Sequence, residues 1–500
     1  MLVHANNSPG RQKGLVLLGI VIFFVLAVIA YFLSGMSVVE IRQYQVERTA
    51  KSLQQAKQAL IAYAVTYGDI DGDADLLPDF PGAYGFLPCP DYNAGLAEGL
   101  EDNGNCGVSG LPKLGYFPWK TLDLPVLKDA GGACLLYAVT GEYKNDENLP
   151  STKTQMLNED TNGMFQIIDD TGAVVRGVNP EDRVVAVILA PGKALPGQDR
   201  DFTLGSFCGD DYANFNAYLE DGGGADNSDV TTVLGTLDQF IHATAASTDD
   251  ANPNPHNDLF VTITRDEIWS AIVSRTDFVQ KMTDLTEALA MCLSDYAAAN
   301  TLDRLPWPVT TVMADYRDTA NYNDNASSAP GYAGRFPFTI DDSNAAIPGA
   351  NISSALFSEA GCNAVNVTSG ATVDLQTIGA EYRVLWENWK DHFFYVVSRD
   401  YAPDNVAAAC GTCITVGPGP GIGAQRAAAV IFANTRQGGQ VRDEPIGGDA
   451  DTKFNVNNYM DNGNGANFPD IAGNGNYLTS ATNDIMYCLT TASPPTVVPC

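Results

Sequence analysis

The stretch Leu15-Val-Leu-Leu-Gly-Ile-Val-Ile-Phe-Phe-Val-Leu-Ala-Val-Ile-Ala-Tyr-Phe-Leu33 holds nineteen residues and no charge. A helix of that length reaches about 28 Å, close to the hydrocarbon thickness of a bilayer. Arg11 and Lys13 precede it, so the charge asymmetry predicts a single membrane pass with residues 1–14 cytoplasmic and the rest outside. The helical pattern does not stop at Leu33. Val39, Val46, Leu53, Leu60 and Tyr67 recur every seven residues among Glu40, Arg42, Glu47, Arg48, Lys51 and Lys57. That spacing predicts an amphipathic helix with one apolar stripe. No Pro interrupts Leu15 to Tyr67, so one long helix is expected, half apolar and half amphipathic.

Further along, the chain repeats itself. Ala59-Leu60-Ile-Ala-Tyr63-Ala64 is answered by Cys292-Leu293-Ser-Asp-Tyr296-Ala297, and Leu87-Pro88-Cys89-Pro90 by Leu305-Pro306-Trp307-Pro308. Tyr116-Phe117-Pro118 pairs with Arg335-Phe336-Pro337, and Lys128-Asp129 with Lys390-Asp391. Ala186-Val-Ile-Leu-Ala190 pairs with Ala429-Val-Ile-Phe-Ala433, and Gln198-Asp-Arg200 with Gln440-Val-Arg442. Asn216-Ala-Tyr218-Leu-Glu220 pairs with Asn457-Asn-Tyr459-Met-Asp461, and Asn257-Asp258 with Asn483-Asp484. The constant order predicts two related units, 36–275 and 276–490, followed by a tail at 491–500. Each is expected to be α+β, a helix on one face of an antiparallel sheet.

Composition narrows the function. The 500 residues carry 28 Lys and Arg against 60 Asp and Glu, a net charge of −32, which disfavours nucleic acid as a partner. Hydrophobic residues make up 45%, too many for a disordered chain. The ten cysteines suit an oxidising compartment. Cys89 and Cys106 are the most local pair of the first unit, and Cys410-Gly-Thr-Cys413 reads as a small structural disulfide, since a single CxxC supports zinc poorly.

The leader Arg11-Gln12-Lys13-Gly14 before an apolar segment, with Gly85-Phe-Leu87-Pro88-Cys89-Pro90-Asp91 and Gly115-Tyr-Phe117-Pro118-Trp119 after the helix, resembles the type IV pilin and type II secretion pseudopilin family over residues 15–140. The resemblance implies cleavage between Gly14 and Leu15 by a prepilin peptidase. It also implies an inner-membrane precursor with its globular part periplasmic, and other pilin or pseudopilin subunits as partners. The family carries a Glu five residues after that Gly; this chain has Gly19, which by the same resemblance suits a minor subunit. Two bulky units on one stem suit a tip or priming position, with a role in adhesion or cargo contact. The rival reading is a single-pass anchored exported enzyme or carbohydrate-binding protein that never assembles.

Chemistry-bearing patterns are sparse. Asp69, Asp71, Asp73 and Asp75 put four carboxylates on alternate positions around Gly72, a candidate Ca2+ loop or equally an exposed acidic turn. The EF-hand template fails because Phe80 stands where its Glu would be. His242, His256 and His392 are far apart, and His392 beside Lys390-Asp391 reads as structural. Trp386 and Trp389 are expected to face a core. No G-x-S-x-G elbow occurs, and the prolines around Gly419-Pro-Gly421-Ile-Gly423 remove donors that a phosphate loop needs. The sequence therefore predicts no catalytic residues.

Overall fold

A period of about 3.6 in apolar residues buries one stripe of a helix, and a period of two buries one face of a strand. The computed structural model describes residues 12–35, 38–70, 78–92, 97–102, 106–108, 110–145, 156–200, 206–208, 212, 214–222, 225–242, 257–299, 302–324, 331–340, 362–403, 410–419, 422–444, 450–461, 463–479 and 482–500. At 12–16, 29–35, 38–42, 221–222 and 225 this covers the backbone alone.

The stem is two helices, α1 (Gln12–Gly35) and α2 (Val38–Thr66), which corrects the single long pilin-type helix. Residues 36–37 between them lie outside the described residues. Every described side chain of α1, from Leu17 to Val28, is exposed. Among the described residues no helix is long and apolar enough to cross a membrane, so the single-pass inner-membrane placement is not supported. α2 behaves differently: Leu53, Ala56, Leu60 and Ala64 are all buried on one stripe.

The first half contributes β1 (Lys113–Tyr116), β2 (Leu136–Val139), β3 (Phe165–Ile168), β4 (Val174–Arg176) and β5 (Val184–Ala190). A two-residue ribbon, β6 (Asp221–Gly222) with β7 (Ala225–Asp226), precedes β8 (Asp238–Ile241) and β9 (Leu259–Thr264). α3 (Arg265–Val273) and α4 (Thr276–Ala298) then lead into the second half. There follow β10 (Ala333–Arg335), the ribbon β11 (Val365–Asn366) with β12 (Thr372–Val373), α5 (Glu381–Trp389) and β13 (Phe393–Val397). The chain closes with β14 (Ile414–Gly419), β15 (Ile422–Arg426), β16 (Ala428–Phe432), β17 (Asn476–Leu478), β18 (Ile485–Leu489) and β19 (Val497–Pro499). Residues 491–500, read as a tail, thus add a strand, and Cys500 is joined to Cys488.

Both halves lay their strands in one order. β1-β2-β5-β9 run antiparallel in the first, and β10-β13-β16-β18 in the second. Each half also carries a hairpin, β3–β4 or β14–β15, whose first strand takes a parallel partner, β8 or β17. The first sheet and the small β15-β14-β17 sheet are therefore mixed, which corrects the antiparallel expectation there, while β10-β13-β16-β18-β19 is antiparallel throughout. The ladders refine one sequence match: Tyr137 faces Ile188 and Tyr395 faces Val430, so Ile188 corresponds to Val430 and the apolar runs match one residue earlier than their letters suggest. A continuous apolar run fits either register; the pleat decides which face each residue takes.

Alternation then divides the core. Tyr137, Val139, Ala186 and Ile188 of the first sheet and Phe393, Tyr395, Val430 and Phe432 of the second share one cluster with α2, α3, α4 and α5. The opposite faces fill two separate clusters, one under Tyr218 and Leu219 and the other under Tyr459 and Met460. The 275/276 boundary therefore falls inside a common core rather than in a linker. Truncating fully buried Leu60 to Ala should cost about 2–5 kcal/mol, while Leu18→Ala on α1 should stay within about 0.5 kcal/mol. Equilibrium unfolding in guanidinium checks the contrast.

Candidate functional site

Under each sheet the same polar side chains make the same bonds. Gln198 Oε1 accepts from Leu195 N and Arg200 Nη2, both at 3.0 Å, and Arg200 Nε donates to Ala217 O at 3.0 Å. Gln440 Oε1 likewise accepts from Gln437 N (2.8 Å) and Arg442 Nη2 (3.1 Å), and Arg442 Nε donates to Asn458 O at 2.6 Å. The two guanidinium groups lie over the rings of Tyr218 and Tyr459, at 5.3 and 4.6 Å.

The neighbouring acids correspond too. Glu220 N donates to Asp258 Oδ2, as Asp461 N does to Asp484 Oδ2, each at 3.1 Å. Asn227 exchanges bonds with the backbone of Ile241, and Asn464 with that of Leu478. Burial first, and then the Glu220 charge, pushes the Asp258 carboxyl well above the ordinary carboxylate range. Burial pushes Asp484 up to about 6.

The halves part company at the next acid. In the first, Asp129 is satisfied by backbone N–H groups of Ala133 (2.9 Å) and Gly192 (2.8 Å). In the second, a 3-10 turn at Lys390–His392 ends α5 and presents Asp391 and His392 together. Asp391 binds Lys453 Nζ at 2.5 Å and accepts from Asn158 Nδ2 at 2.9 Å. Asn158 belongs to the first half, and the residues after it follow it in. Glu159 Oε1 lies 2.8 Å from Arg442 Nη1 and accepts Arg436 N at 3.0 Å. Asp160 is fully buried, 3.0 Å from His392 Nε2, 3.7 Å from Lys453 Nζ and 3.8 Å from Arg442 Nη1. Asn162 Nδ2 donates to Asp443 Oδ1 at 2.8 Å. An acidic segment of the first half is thus seated among cations of the second.

The electrostatics follow from that enclosure. Burial alone would raise Asp160, yet His392, Arg442 and Lys453 more than offset it and hold the carboxyl well below its usual range. Burial lowers Lys453, but Asp391 beside it leads the opposing charges that raise it well above its ordinary value. His392 Nδ1 is 2.9 Å from Ala433 O, an acceptor, and Nε2 faces the Asp160 carboxylate.

Glu159, Asp160 and His392 can bring one ligand atom each within 4.8 Å of one another, as a metal site would. The residues do not fit an ion, however, because Arg442 and Lys453 already stand against these carboxylates as fixed cations. The arrangement is a charge-neutralised joint. Beside Asp160 lies a cavity of about 20 Å3, room for one water.

Residues singled out from the sequence are placed as follows. Gly14 and Leu15 lie in the backbone of α1, with the Leu15 side chain outside the described residues. Asp69 is paired with Arg275 at 2.7 Å and accepts from Tyr84 Oη at 3.1 Å, while Asp71, Asp73 and Asp75 lie outside the described residues. Cys89 is joined to Cys106 and Cys410 to Cys413; the further bridges are 134–208, 292–362 and 488–500. Trp386 and Trp389 are buried in the common core. Sequence reasoning passed over Glu159, Asp160 and Lys453, which lie outside the matched motifs; Arg442 was visible as the partner of Arg200. No family model, curated protein or solved structure matches the chain.

Asp160→Asn leaves the buried Arg442 and Lys453 facing a neutral amide, and unfolding in guanidinium at pH 7 should show a loss of about 3–5 kcal/mol. Asp484 supplies a pH test. Its folded value lies above the unfolded one, so the native state keeps a proton that the unfolded chain releases, and stability falls as pH rises from about 4 to about 6. Asp484→Asn removes that slope. The variant should gain roughly 1–3 kcal/mol on the parent between pH 4 and pH 8 in unfolding midpoints.

Proposed function

We propose that the chain is a minor pilin-like or pseudopilin-like subunit of a type IV pilus or type II secretion filament, at its tip or priming position. One observation carries the reading: the described side chains of α1, Leu17 to Val28, are apolar on every side and all exposed. Phe23 is 76% exposed, Phe24 70% and Leu17 66%. A soluble monomer seldom leaves so large a contiguous apolar surface bare. A helix apolar all round needs neighbours all round, and the equivalent helices of other subunits would bury it at about 0.8 kcal/mol per methylene. The leader motif before Leu15 supports the same reading, as does the division of labour between α1 and the packed α2.

Gly19 supports a minor rather than a repeating place. A Cβ built there meets no atom within 4 Å, so the position is open, and it offers no carboxylate to a neighbour. The acidic body beyond α2 would then be the exposed end, presented for adhesion or cargo contact.

Mass spectrometry of the mature chain from cells containing a prepilin peptidase should find Leu15 at the N-terminus; an uncut precursor would remove the reading. Phe24→Asp should exclude the chain from filaments while leaving its melting temperature unchanged, because Phe24 packs against no other part of the described chain.

A further inference from the structure

From Asn227 to Ile241 and from Asn464 to Leu478 the two halves keep identical spacing, anchored at both ends by the same side-chain-to-backbone bonds. Between those anchors they diverge. In the second half the loop lies along the edge of β10: Ala333 N donates to Pro469 O at 3.0 Å and Tyr332 N to Asp470 O at 3.1 Å. Phe468 packs edge-on against Phe394 and Tyr477, with ring centroids 5.6 and 6.1 Å away. The equivalent residues of the first half are Thr231, Thr232 and Val233, and the equivalent edge is Lys113 and Leu114 of β1. There the loop stands off, and a cleft of about 630 Å3 separates it from the strand. That volume lies within the range of ordinary ligand sites.

Leu111, Leu114, Phe215 and Val230 give this cleft an apolar lining, and Asp226 and Asp229 add two carboxylates. A third, Asp238, lines the adjoining hollow on the other side of the same loop. The cation in the wall, Lys113, holds its ammonium 3.5 Å from the centre of the Tyr92 ring. We propose that this cleft binds an extended polypeptide segment with basic residues among apolar ones, laid along β1 in the place that Phe468–Asp470 takes on β10. The second half shows that the scaffold accepts an extended chain there. A strand added to a sheet edge gains main-chain hydrogen bonds whatever its sequence, and alternate side chains point into the groove. The carboxylates, on a chain of net charge −32, select for Lys or Arg in the guest.

The proposal deepens the cargo-contact part of the function proposed above and rests on it. It is read on the isolated chain, so its failure is distinct from a failure of processing at Gly14. The probes are a fluorescein-labelled octapeptide of Lys, Val, Thr and Phe, its Glu-for-Lys counterpart, and a copy N-methylated at alternate backbone nitrogens. Anisotropy should show saturable binding of the first, with the other two at least about tenfold weaker. Asp229→Lys, at an exposed side chain, and Thr231→Phe, which copies Phe468 into the cleft, should each weaken the first peptide by about tenfold or more. Hydrogen exchange at 113–116 should slow when it binds. Absence of saturable binding overturns the proposal, as does equal binding of the N-methylated copy or of the Asp229→Lys variant. Slowed exchange at 113–116 with neutral hexasaccharides in place of the peptide overturns it too.

Discussion

A carboxylate removed wholly from water must be neutralised where it stands, and Asp160 is neutralised entirely by the other half of the chain. His392, Arg442 and Lys453 all lie within 4 Å of it, and all come from the second half. Neither half can leave this contact cheaply. Separation would strand a negative charge on one side and several positive ones on the other, each needing either solvent or a new partner. The geometry therefore links the two sheets more specifically than apolar contact could, since hydrophobic burial fixes no particular register between surfaces.

Around that joint the rest is shared. One core cluster draws on a face of each sheet and on α2 to α5, so the helices serve both sheets at once. The outer faces are covered locally, by Tyr218 and its neighbours in one half and by Tyr459 and its neighbours in the other. Corresponding arginines, Arg200 and Arg442, reach the same backbone carbonyls beneath these aromatic lids. The halves differ where each meets something other than itself. Asp391 recruits Lys453 and Asn158 where Asp129 uses backbone, and the loop at β10 closes where the loop at β1 stands open. α1 is a third such place, with its whole described surface unclaimed by the fold.

Much of the strand layout was legible because it is periodic. Val184–Leu189, Leu259–Thr264, Phe393–Val397 and Ala429–Phe432 announce themselves by β-branched and aromatic density, and each lies in a strand or overlaps one within a residue. The repeat pairs Arg200/Arg442, Glu220/Asp461 and Asp258/Asp484 were visible as letters, and their matching bonds give those letters a cause. What misled was uninterrupted apolarity. A run such as Ala186–Ala190 carries no mark of which face each residue takes.

The sequence by itself determined the elements and their order, the acidic balance, the cysteine supply and the correspondence between halves, because these rest on composition and on spacings of two, three, four and seven. Only the tertiary structure decided that Glu159 and Asp160 face His392, Arg442 and Lys453 across some 230–290 residues of chain. It also decided that one sheet edge is covered while its counterpart is not. Each of these is a matter of which groups meet once the chain has closed on itself. A lone charge in a sequence looks the same whether it will end in water or beside its counter-ion.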